Sequence, residues 1–219
     1  MKRLFLILAM LLFACTSIPV EAADPAPPIK RQTEVWGIVW QADTANKREY
    51  LMYAKAQLRA LFRGYKIRFE IPNPLAPERY ARIIWVRNWI NAPVPLGSYI
   101  FGIADGIDKG NKIHQHKVLV SLGAILRNLK ENKEQPKPLT VGVDLGTLIA
   151  HEVGHTLGLR HKRIEVRADL SCIMTQGAHA FSPSYRYSQK WSFNNQILLS
   201  HLLGKKTPRL SKPVPAKTG

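Results

Sequence analysis

Three histidines, one glutamate and one glycine fall within a single short segment, His151-Glu152-Val153-Gly154-His155-Thr156-Leu157-Gly158-Leu159-Arg160-His161. Residues four apart share a helix face, so His151 and His155 can point at one ion. Zinc takes imidazole nitrogen at about 2.0–2.1 Å, and a catalytic site leaves one position to water beside three protein ligands. Glu152 adjoins the first histidine and can reach that water. Gly158 can adopt a left-handed conformation, end the helix and turn the chain, bringing His161 back as a third ligand. This spacing of five residues arises by chance in roughly one chain of this length in 10⁵, which separates it from accidental histidines on a helix.

The elements that must hold such a site follow from pattern. Glu34 to Gln41 (EVWGIVWQ) is β-branched and aromatic and reads as a strand. Asp43 is expected to cap a helix over Thr44 to Arg63, with Leu51, Ala54, Leu58, Leu61 and Phe62 on one face and Gly64 ending it. Tyr65 to Ile71 alternates and reads as a second strand. Ala81 to Ile90 fits a strand or a short helix, and Tyr99 to Ala104 and Val118 to Leu122 fit strands. Ala124 to Lys133 is an amphipathic helix or turn. Asp144 is expected to cap the histidine helix, running through Leu157, and Gln189 to Leu203 carries a final helix. The order implies an α/β (α+β) fold, a mixed sheet with helices packed on it.

The pattern H-E-x-x-H-x-x-G-x-x-H followed by a methionine turn resembles the signature of the metzincin zinc proteases. Ser171-Cys172-Ile173-Met174 is the turn candidate, ending 13 residues after His161. The resemblance implies a mostly parallel, twisted sheet with an active-site helix and a C-terminal helix. It implies metal ligation by His151, His155 and His161, with Gly158 at the turn and Met174 supporting the site from beneath without ligating. It implies peptide-bond hydrolysis, with Glu152 as general base toward a water acidified by one zinc ion. Tyr185 or Tyr187 could aid the oxyanion, although packing is the simpler role for each. An edge strand pairing with extended substrate is also implied, with Val118 to Leu122 or Tyr99 to Ala104 as candidates. Phe181 to Ser184 before a terminal helix fits the same resemblance. The residue after the third histidine is Lys162, which matches none of the familiar subfamilies, so none is assigned.

The rest of the chain bounds where this chemistry operates. It has 219 residues, with 32 Lys+Arg against 15 Asp+Glu and a formal charge of +17. Residues 1–22 read as a signal peptide: Lys2 and Arg3, an apolar run Leu4 to Ala14, and Val20-Glu21-Ala22 before the cut. Leu12-Phe13-Ala14-Cys15 also resembles a lipobox, so lipid anchoring through Cys15 stays open beside secretion or periplasmic release. Residues 23–33 read as a Pro-rich linker, 34–204 as the catalytic domain and 205–219 as a basic, Pro-containing tail. With Cys15 in the leader, Cys172 is a lone thiol, expected to be a small buried hydrophobe.

The positive charge favours anionic envelope polymers or acidic substrates, and no nucleic-acid motif accompanies it. Asp105, Asp108 and Asn111 could ligate calcium, but successive turns explain that Gly/Asp-rich segment better. His114 and His116 are expected to be solvent-exposed. A monomer acting on protein or peptide substrates is the leading reading. A catalytically idle domain binding anionic surfaces, or a zinc hydrolase of peptidoglycan cross-links, are the alternatives.

Overall fold

The computed structural model describes residues 32–72, 80–90, 100–107, 111–112, 115–161, 172–174 and 186–205. The expected leader with Cys15, most of the linker and of the basic tail, Asp108, His114, Lys162 to Ser171 and Gln176 to Tyr185 lie outside these residues.

Hydrophobic alternation becomes a five-stranded sheet. β1 (Glu34–Trp40) pairs in parallel with β2 (Ile67–Glu70) on one side and β3 (Arg82–Arg87) on the other. β3 pairs in parallel with β5 (His116–Ser121), and β4 (Gly102–Ala104) closes the row antiparallel to β5. The spatial order is β2-β1-β3-β5-β4, so the sheet is mixed and mostly parallel, as expected. Of the two edge candidates, Val118 to Ser121 is thus interior and Gly102–Ala104 is the edge among the described residues, while Tyr99 lies outside them. Within Ala81 to Ile90, Arg82–Arg87 is strand. Its run Ile83-Ile84-Trp85-Val86 is β-branched and sits between two neighbours, which favours the pleat over a helix.

Parallel neighbours need crossovers, and helix α1 (Lys47–Leu61) spans the first, from β1 to β2. Its Leu51, Ala54, Leu58 and Leu61 are buried as their spacing requires. Each fully buried Leu contributes about 2 kcal/mol of transfer free energy. The cap differs from expectation. Asn46, not Asp43, occupies the N-cap position, without a side-chain bond. Helix α2 (Leu122–Glu131) is capped by Ser121, whose Oγ accepts the Ala124 N–H at 3.1 Å.

Helix α3 (Pro138–Thr156) carries the histidines and starts seven residues earlier than an Asp144 cap would allow. Pro138 opens it, because proline needs no N–H partner in the first turn and presets φ. Asp144 is interior to the helix and buried. The β-branched, Gly-containing start Thr140-Val141-Gly142-Val143 is a weak helix former, and packing overrides that. Small residues recur along α3 at Gly142, Gly146, Ala150 and Gly154. A Cβ on Gly146 would stand 2.7 Å from the Ala54 carbonyl oxygen, so the missing side chain lets α1 and α3 touch along their backbones. Helix α4 (Phe193–Leu203) buries Leu199, Leu202 and Leu203 against the same core.

Candidate metal centre

His151 and His155 lie one turn apart near the C-terminal end of α3. The helix ends at Thr156, and Gly158 takes φ +90°, a conformation that disfavours any side chain. The Leu159 N–H then returns to the Gly154 carbonyl at 2.9 Å, reversing the chain. Leu159 is buried and pins the turn. Two residues on, His161 stands over the helix.

The three Nε2 atoms form a triangle. His151 to His155 is 3.1 Å, His151 to His161 is 3.0 Å, and His155 to His161 is 3.0 Å. The opposite ring nitrogens explain what those atoms carry. His151 Nδ1 lies 2.7 Å from the Ile173 carbonyl oxygen and His155 Nδ1 lies 2.9 Å from that of Leu159. A carbonyl only accepts, so both Nδ1 atoms hold the proton and both Nε2 atoms carry lone pairs. Lone pairs 3.1 Å apart repel unless a cation lies between them. Three imidazole nitrogens converging at these separations are a donor set that fits zinc, which His151, His155 and His161 would hold. Burial holds His151 down to about 4, with His155 and His161 adding to the effect against the pull of Ile173. Burial lowers His155 and His161 as well. All three are therefore held toward the neutral form that a metal ligand needs.

Met174 is fully buried, and its Sδ would stand 2.8 Å from a Cβ on Gly154. The segment Cys172–Met174 thus lies against α3 between the two helical histidines, and its Ile173 carbonyl orients His151. Cys172 is a buried free thiol, as its isolation in the sequence implied.

Glu152 follows His151 on α3, reaches Gly102 and Ala104 of β4, and is 5% exposed. At the two ends of β4, the Asp105 N–H bonds the Lys117 carbonyl and the Phe101 carbonyl accepts from the Ser121 N–H, so Gly102 and Ala104 turn their backbone groups to the side that has no strand partner among the described residues. The Ala104 N–H donates to the Glu152 carboxylate. A Cβ on Gly102 would stand 2.5 Å from Glu152 Oε1, so only glycine leaves room there. Burial pushes Glu152 up to about 8, opposed by the Ala104 hydrogen bond. A dication beside it would pull it back down.

Arg186 is a residue the sequence reading missed. Its Nε donates to Asp144 Oδ1 at 2.6 Å, and its Nη1 and Nη2 donate to both Glu134 oxygens at 2.6 and 3.1 Å. One guanidinium is shared between the buried Asp144 and the partly exposed Glu134. Burial therefore pushes Asp144 up to about 7 against the pull of Arg186. For Arg186, burial lowers and the two carboxylates raise, and the carboxylates win. Because the Asp144 value stands above its ordinary 3.8, its contribution to stability is full in acid and fades as pH rises through about 7. The melting temperature of the protein relative to that of Asp144→Asn should therefore fall between about pH 4.5 and 7.5. A constant difference across that range would show Asp144 to be ionised throughout.

Other expected positions resolve differently. Tyr187 is 64% exposed and lines a concavity with Gln57 and Arg63 at the α1 side. His116 is buried, not exposed: it stacks on Trp36 and its Nδ1 lies 3.2 Å from Asp105 Oδ1. The second Asp105 oxygen accepts the Lys117 N–H, and Asn111 bridges Arg82 and Glu34. The described members of the calcium candidate thus spend these groups on protein partners. His201 is exposed on α4.

Sequence comparison finds no matching family model and no matching curated protein. Solved structures do match. A zinc-dependent peptidase from Methanocorpusculum labreanum (strain Z) is 12% identical, with TM-score 0.49, over 75% of this chain and 99% of that one. Archaemetzincin from Methanopyrus kandleri is 15% identical, with TM-score 0.50, over 81% of this chain and 99% of that one. At such identity the second likeness speaks for the fold, a mixed and mostly parallel sheet with helices packed on it.

Proposed function

We propose that the chain is an exported zinc-dependent endopeptidase of metzincin type. The observation that carries this is the triangle of three Nε2 lone pairs, with the Glu152 carboxylate one residue along α3 from His151. His151, His155 and His161 hold the ion. When bound, zinc supplies Lewis acidity toward water and toward the scissile carbonyl. The chain does the rest. Gly102 and the open side of β4 align an extended peptide by backbone pairing. Glu152, held by Ala104, takes the proton from water and hands it to the leaving amine. Ile173 and Leu159 keep both helical imidazoles in the ligating tautomer. The fold shared with an archaemetzincin agrees with this reading.

Export rests on the signal-like residues 1–22, and Cys15 lipidation is the alternative form of it. The charge of +17 supports retention of the chain on anionic envelope polymers. The test is hydrolysis of denatured casein and of purified sacculi side by side, before and after a chelator. Casein cleavage that a chelator abolishes and one equivalent of zinc restores is expected. Cleavage of sacculi alone would move the substrate to peptidoglycan, and no hydrolysis of either by zinc-loaded protein would contradict an enzymatic role.

A further inference from the structure

Away from the histidines, the C-terminal end of α1 and the segment leading into α4 enclose a concavity of about 330 Å³. Small-ligand sites begin at about that size. Arg63 and Lys190 line it, and among the described residues no acidic side chain does. Neither cationic side chain has an ion pair or hydrogen bond among the described residues. Unpaired cations on a shared concave wall raise the local concentration of anions.

The neutral part of the wall narrows the ligand further. Gln57 Nε2 donates to Thr147 Oγ1 at 3.2 Å, and Gln196 Nε2 donates to the Trp191 carbonyl at 2.9 Å. Each amide is thereby held in one orientation. Its carbonyl oxygen accepts nothing from the described residues and stays available to an incoming O–H. Tyr187 adds a solvent-facing aromatic ring at the rim. A suitable ligand therefore carries negative charge for the cations, hydroxyl donors for the amide oxygens and a C–H face for the ring. An acidic peptide satisfies only the first of these with its side chains.

We infer that this concavity binds an acidic saccharide, a sugar bearing carboxylate or phosphate. The inference gives the anionic-polymer affinity proposed above a defined place, and it is independent of whether the histidine site cleaves peptides. Calorimetric titration of the full chain tests it, with tetragalacturonate and a mannose-6-phosphate disaccharide as carboxylate and phosphate arms. Cellotetraose and tetraglutamate serve as neutral and peptide controls. At least one acidic sugar should bind, with both controls weaker by about tenfold or more. Arg63→Gln/Lys190→Gln should weaken the sugar by about tenfold at an unchanged melting temperature. Lys130→Gln/Lys133→Gln, which removes equal charge from the exposed end of α2, should leave it within about twofold. No saturable binding of either acidic sugar, equal binding of tetraglutamate, or equal losses in the two double variants would overturn the inference. Equal losses would instead leave anionic affinity as an effect of net charge.

Discussion

Glu152→Gln should lower kcat for peptide cleavage by about 10³-fold and leave one zinc per chain in place. The carboxylate touches neither the three Nε2 atoms nor the carbonyls that orient them. Gln keeps the shape that Gly102 accommodates and can still accept the Ala104 N–H. What it cannot do is accept a proton. Loss of turnover at constant zinc content, with KM little changed, is therefore the signature of a general base. Unchanged cleavage would remove Glu152 from the chemistry. Loss of zinc along with turnover would make it a support for the site instead.

Arg186→Met should destabilise the fold by about 3 kcal/mol or somewhat more, because it leaves the buried Asp144 and the partly exposed Glu134 without their shared cation. For a chain of this size that corresponds to a melting temperature lower by about 10 °C. Asp144 is 1% exposed, so water cannot replace the guanidinium there. The triple variant Glu134→Gln/Asp144→Leu/Arg186→Met should recover most of the loss, since an apolar replacement of a buried ion pair is often neutral. Calorimetric melts of the three proteins decide it. A single variant melting within about 2 °C of the parent would show that the network contributes little.

How far the residues announce this architecture depends on the range of the interaction. Local patterns were readable. The four-residue spacing of His151 and His155, the glycine that turns the chain at 158 and the apolar face of α1 all depend on neighbours in sequence. The start of α3 was not, because burial on all sides, not helix propensity, makes Thr140 to Val143 helical. Arg186 carries no local mark either: its partners lie 42 and 52 positions away. His116 looked solvent-facing because its stacking partner Trp36 comes from another strand and its carboxylate Asp105 from beyond the end of β4. The small residues at 142, 146, 150 and 154 form a four-residue repeat in the sequence. Such a repeat on one helix face is itself a signal for a closely packed helix neighbour, the place α1 takes.

That His151, His155 and His161 share one cation is tested most directly by X-ray absorption at the zinc edge, on the reconstituted protein and on His161→Ala. The parent should show one zinc with three imidazole nitrogens at about 2.0–2.1 Å, and the variant two imidazoles with weakened binding. A zinc environment unchanged by His161→Ala, or one lacking imidazole altogether, would contradict the shared site.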